Sequence, residues 1–80
     1  MHFSVRQVEA RPDYFLLLTF ENGEKRQFDM KPFLETGIFR ELKNEEIFET
    51  VHISFNSVAW DNDADFDPEA LYEGSLLVVT

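Results

Sequence analysis

Along the chain the rhythm of hydrophobic and polar positions changes several times, and each change marks an element. Residues 3–10 set Phe3, Val5 and Val8 among polar neighbours and predict a first strand with weak apolar anchors. Arg11-Pro12-Asp13 ends it, because proline lacks a donor and aspartate favours turns. Residues 14–20 read Tyr-Phe-Leu-Leu-Leu-Thr-Phe. That run is apolar on both faces, as a strand in the middle of a covered sheet is. Asn22-Gly23 follows, and a type I′ turn needs positive φ at both central residues, so a two-residue hairpin loop is predicted. Residues 24–29 are the return strand. This register sets Phe20 opposite Lys25, Thr19 opposite Arg26 and Leu17 opposite Phe28, with Glu21 diagonal to Arg26 as a rim ion pair. The return strand is mostly polar, so it belongs near an edge or has one wet face.

Residues 30–49 lose the alternation. Pro32 sits early in Met30-Lys31-Pro32-Phe33-Leu34, where its missing N–H costs nothing at the start of a helical turn. Gly37 interrupts. Asn44 is a good N-cap, and Glu45 and Glu46 suit the positive first turn of a short helix. Short helical pieces are expected to lay Phe33, Leu34, Phe39, Leu42 and Phe48 over one sheet face. Residues 51–55 alternate again, with Val51, Ile53 and Phe55 to the apolar side and His52 and Ser54 opposite. A turn at Asn56-Ser57 places Ile53 opposite Trp60, Phe55 opposite Val58 and His52 opposite Asp61. The last helix is bounded by Asp67 as N-cap, Pro68 at the first helical position and Gly74 as a left-handed C′ residue. Residues 75–80 are β-prone. The fold class that follows is α+β: a small antiparallel sheet built from two β-hairpins plus an N-terminal strand, with short helices packed on one face, all in one domain, residues 1–80. The predicted core holds Leu16, Leu18 or Leu17, Phe28, Phe33, Phe48, Ile53, Trp60 and Leu71.

Length and composition narrow this picture. Eighty residues make one small domain with a marginal core. Hydrophobic residues at 44%, nine of the 80 being Phe, exclude a disordered chain even at net charge −9. With no cysteine there is no disulfide framework and no thiolate metal site. No apolar run approaches the roughly 20 residues of a membrane span, and none at the start suits a signal peptide. The cytoplasm is the expected compartment.

Charge divides the chain. Residues 1–43 hold all seven bases and seven acids, whereas residues 44–80 hold nine acids and no base. The whole −9 therefore belongs to the second half. One reading is a solvated face that keeps a small domain soluble. The other is a docking surface for a basic partner, and its candidate residues are Asp61, Asp63, Asp65, Glu69, Glu73, Glu45, Glu46 and Glu49. Direct nucleic-acid binding and an anionic membrane surface are both disfavoured by the sign of the charge. A second copy of the chain, in a homodimer, is a further candidate partner.

The chemistry-bearing patterns are weak. Asp61-Asn62-Asp63-Ala64-Asp65 has the alternating oxygens of a calcium loop, but position six is Phe66 instead of Gly and position twelve is Tyr72 instead of Glu. Glu73 comes one residue late. His2 and His52 are the only imidazoles, and His52 has a nearer role beside Asp61. No Ser-His-Asp order, cysteine nucleophile or phosphate loop is present, and so short a chain leaves little room for a cleft of ~300 Å3. No catalytic residue, cofactor or metal site is expected.

The order of motifs does resemble one family. Residues 14–20 with Glu21-Asn22-Gly23, then Phe28-Asp29, Pro32-Phe33-Leu34, Gly37-Ile38-Phe39, Val58-Ala59-Trp60, Ala64-Asp65, Pro68-Glu69 and Leu71-Tyr72 are similar to the bacterial domain of unknown function 2442, over roughly residues 5–74. A departure is Asp63, where the family usually has Gly in the turn before Ala64-Asp65. The resemblance implies an α+β fold with a small antiparallel sheet and short helices, and it does not imply an enzyme. Some relatives carry an added helix-turn-helix domain, which these 80 residues do not contain. The resemblance further implies a role as the acidic, neutralising member of a toxin–antitoxin-type gene pair. Two alternatives stand beside it: an acidic mimic of nucleic acid, in the manner of a phage inhibitor of a DNA-binding protein, and a small metal-dependent enzyme.

Overall fold

The computed structural model describes residues 3–78, so His2 and the last two residues of the β-prone tail, Val79 and Thr80, lie outside it. In chain order the strands are β1 (Val5–Arg11), β2 (Phe15–Phe20), β3 (Lys25–Asp29), β4 (His52–Ser54), β5 (Ser57–Ala59), β6 (Asp65–Phe66) and β7 (Leu76–Leu77). The α-helices are α1 (Glu45–Phe48) and α2 (Pro68–Gly74). Short 3-10 helices occupy Pro12–Tyr14, Lys31–Phe33 and Gly37–Lys43. The α+β class stands, with one difference. The strands form two antiparallel sheets, ordered β1-β2-β3-β7 and β4-β5-β6, so the second hairpin does not extend the first sheet. The sheets meet where the Val5 amide, at the start of β1, donates to the Asn56 carbonyl at 2.9 Å.

Both hairpins depart from the predicted register, the first by one more loop residue and the second by a two-residue turn placed one residue early. In the first, Thr19 pairs with Lys25, Leu18 with Arg26 and Leu16 with Phe28. The Gly23 amide donates to the Phe20 carbonyl and the Phe20 amide to Glu24, and Gly23 alone in the loop has positive φ, at 88°. This is a type I turn closed by a left-handed glycine, a three-residue loop, and Asn22 keeps negative φ. The Asn22 side chain instead accepts from the Glu24 amide at 3.1 Å. The shift turns Arg26 toward Glu24, at 2.8 Å, in place of the expected Glu21 pair. In the second hairpin the turn lies at Phe55-Asn56, one residue early, with φ of 49° and 69°. Ser54 pairs with Ser57, Ile53 with Val58 and His52 with Ala59. Ile53 is consequently 40% exposed and Phe55 leaves the core altogether. The reason lies in Ser57, which is buried with its hydroxyl donating to the Phe66 carbonyl of β6, and so must belong to the strand.

The core gathers Leu16, Leu18 and Phe20 from β2 and Phe28 from β3 under Met30, Leu34, Leu42 and Phe48 of the helical stretch, with Val58, Trp60 and Leu71. Phe33 and Phe39 pack against it half-buried. Only one face of β2 is covered. Phe15, Leu17 and Thr19 on the other face are half-buried, and the Lys31 ammonium rests 4.1 Å from the Phe15 ring centre. Asp67 and Pro68 begin α2 as predicted, with the Asp67 carboxylate accepting from the Ala70 amide at 3.2 Å. Gly74, however, is inside the helix and is not left-handed. A Cβ there would lie 2.9 Å from Phe28 Cε1, so glycine is required by the close approach of helix to sheet.

Candidate functional site

All eight carboxylates nominated from sequence, Asp61, Asp63, Asp65, Glu69, Glu73, Glu45, Glu46 and Glu49, are exposed. Three supports carry them. The Asn44 side chain accepts from the Glu46 amide at 3.0 Å and opens α1, leaving Glu45 and Glu46 in the first turn, where unpaired amides favour negative charge. Glu49 follows at the end of that helix. Thr50 then bridges: its hydroxyl donates to the Ile47 carbonyl at 2.6 Å and accepts from the Asp61 amide at 3.0 Å. The buried Trp60 indole donates to the Phe48 carbonyl at 3.0 Å. These two links tie α1 to the start of the next turn and bring Glu49 and Asp61 into one neighbourhood.

The turn after Trp60 is the second support. Asp63 donates its amide to the Trp60 carbonyl and takes φ of 71°, while the Asn62 side chain accepts from the Ala64 amide and donates to Glu41. Asp65 follows in β6 opposite Ala59. Helix α2, the third support, is fastened to the four-stranded sheet instead. Its Tyr72 hydroxyl donates to Glu24, and the Arg26 guanidinium lies 4.1 Å over the Tyr72 ring. Glu69 and Glu73 are thus held by a different part of the molecule from Glu49 and Asp61.

Electrostatically the halves differ as their composition does. Among the described residues every ion pair between a carboxylate and Lys or Arg falls within residues 1–43: Arg11–Glu9, Arg26–Glu24, Lys31 with Asp13 and Asp29, and Lys43–Glu35. The Tyr72 hydroxyl and the Arg26 guanidinium hold the Glu24 carboxyl below its ordinary range. Lys43 does the same for Glu35. In the acidic half, His52 Nδ1 lies 3.7 Å from Asp61. The same nitrogen is 2.9 Å from the Thr50 carbonyl, which can only accept, so Nδ1 carries a hydrogen.

Among the described residues no three His, Asp or Glu side chains converge where they could hold a cation. The alternating acids of residues 61–65 are spread over a turn, with Asp63 at φ of 71°, and a strand, with Asp65 in β6. Room is not the limiting factor that length suggested. One surface groove of about 460 Å3 is lined by residues that include Gln7, Glu9, Leu17, Thr19, Lys25, His52 and Ile53.

A family model described as protein of unknown function, DUF2442, matches residues 5–76. The chain belongs to this family. No curated protein and no solved structure matches it. In this DUF2442 chain Asp63 takes φ of 71°, a value that glycine adopts freely and aspartate tolerates. One feature of this DUF2442 chain escaped the sequence reading. Phe55, placed inward by alternation, is 97% exposed and stands at the tip of the second hairpin. Asn56 was the available signal, since asparagine accepts positive φ at either position of a two-residue turn.

Proposed function

We propose that this chain is a small non-enzymatic interaction module of the cytoplasm whose acidic second half docks a basic protein, as an antitoxin-like neutraliser does. The observation that carries the reading is the separation of charge. All nine acids of residues 44–80 are exposed, and the Lys and Arg ion pairs of the described residues lie elsewhere. A surface of one sign speeds encounter with an opposite surface and repels like-charged ones. The partner is therefore protein and not nucleic acid.

The test is a charge reversal at Asp63, Asp65 and Glu73 to Lys, with partners recovered from lysate at low salt and then purified. The expected result is a basic protein whose association rate falls about tenfold or more on reversal, while dissociation changes little. Displacement of that protein by duplex DNA assigns the chain to the alternative class, a mimic of nucleic acid. Recovery of no basic protein, or equal binding by the reversed variant, leaves the acids as a solvated face and overturns the reading.

A further inference from the structure

We infer that Phe55 is the apolar anchor of this docking surface, inserting into an apolar pocket bordered by lysine or arginine on the basic partner. The inference rests on the acidic-module reading and adds the residue that holds the complex once it has formed. The other eight phenylalanines of the chain are buried or half-buried, whereas Phe55 is 97% exposed. Its backbone is also out of the ordinary. Phe55 and Asn56 have φ of 49° and 69°, the type I′ pattern, in which glycine, asparagine or aspartate sits without strain and a bulky aromatic does not. An exposed aromatic in a strained position gains nothing for the fold, and such outliers gather where a surface is used.

The mounting is rigid and its surroundings are acidic. The Asn56 carbonyl accepts from Val5 at 2.9 Å, and the next residue, Ser57, is buried and bonded to Phe66. A backbone already held in place loses little freedom on binding, which suits an interface hot spot. Beside it runs a groove of about 290 Å3 with Val58, Phe66 and Pro68 as its apolar lining and Asp65 and Asp67 on its margin. An apolar anchor rimmed by carboxylates fits a partner whose pocket is rimmed by bases. A second copy suits it less: a symmetric dimer through this groove sets the Asp65 and Asp67 margins of the two copies against each other.

The experiment places a photo-reactive benzoylphenylalanine at position 55 of the full chain, with the same group at the exposed Thr36 as control. The cross-linked protein is identified, purified and titrated against the parent, Phe55→Asn, Phe55→Trp and the triple charge reversal. The expected cross-link, specific to position 55, is to a basic protein. Phe55→Asn should weaken its binding about tenfold to thirtyfold through faster dissociation, Phe55→Trp should largely keep it, and Phe55→Asn should melt no lower than the parent. Cross-linking only to copies of the chain, or only as at Thr36, overturns the anchor. If charge reversal slows association while Phe55→Asn binds as the parent does, the anchor fails and the acidic-module reading survives. If neither change weakens binding, both fail.

Discussion

Asp63, Gly74 and Phe55 show how single positions resolve competing demands. At Gly74, helix propensity alone favours alanine by about 1 kcal/mol. The Cβ would nonetheless meet Phe28 Cε1 at 2.9 Å, and Phe28 is buried and stacked on Phe33 at 5.6 Å, so its ring has no room to retreat. Overpacking of this kind costs ~1–3 kcal/mol. Gly74→Ala should therefore lower the urea midpoint, and a rise would show that α2 can shift. At Asp63 the sign reverses. Left-handed φ costs an L-residue up to roughly 1–2 kcal/mol, less for aspartate, and glycine's looser unfolded chain offsets part of the relief. Asp63→Gly is expected to be neutral or more stable by up to about 1 kcal/mol in thermal melts, where glycine at a regular position destabilises.

Between elements, a few side chains do the joining. Trp60 follows β5 directly, and its indole reaches the Phe48 carbonyl at the end of α1, while its ring packs near Phe39 and Phe48. Trp60→Phe keeps most of the apolar volume but leaves the Phe48 carbonyl only the long bond from the Val51 amide, at 3.4 Å, a loss of ~0.5–1.5 kcal/mol. Trp60→Ala adds a cavity and should cost ~3–5 kcal/mol, enough to unfold much of a marginal domain. Circular dichroism of the two variants separates the terms. Helix α2 meets β3 through Tyr72, Glu24 and Arg26, with the Arg26 guanidinium also donating to the Ser75 carbonyl at 3.2 Å. The Glu24 carboxyl is held below its ordinary range first by the Tyr72 hydroxyl and then by Arg26. A depressed folded-state pKa contributes stability above the unfolded value, roughly 4.3 for Glu, and loses it as pH falls through the folded one. The Glu24 contribution should thus be lost from about pH 5 downward. Glu24→Gln should flatten that decline in urea titrations, and an unchanged profile would show the link to be inert.

For the whole molecule, the balance of charge decides how stability responds to salt. Residues 1–43 sum to zero and, among the described residues, hold the Lys and Arg ion pairs, while residues 44–80 carry −9. Salt weakens those pairs, but exposed pairs contribute only about 0–1 kcal/mol each. It also screens the mutual repulsion of nine exposed acids, once the Debye length shrinks to about 8 Å. Repulsion is the larger effect, so the melting temperature should rise between about 10 and 150 mM NaCl. A fall would mean that the ion pairs of the first half dominate.

What local chemistry dictates was readable along the chain. Proline at the start of helical turns, Asn44 and Asp67 as caps, and the apolar run of β2 depend on neighbours within a few residues, and each is found where it was expected. The exposed acids were readable for the same reason, since a run of carboxylates without bases has nowhere to go but water. Register was not readable. Asn22-Gly23 satisfies two turn types equally well, and the choice falls to the pairing of Leu16 with Phe28 across the hairpin. At residues 51–60 five alternating positions allow the turn on either side of Asn56. The buried hydroxyl of Ser57, bonded to a strand nine residues away in sequence, decides for Phe55-Asn56. Moving that turn by one residue keeps Ile53 and Val58 on the same side but takes Phe55 out of the strand and into the turn, and that is why a phenylalanine patterned as core stands in water. Gly74 likewise owes its role to Phe28, a contact between an α-helix and a strand far apart in sequence that no local pattern contains.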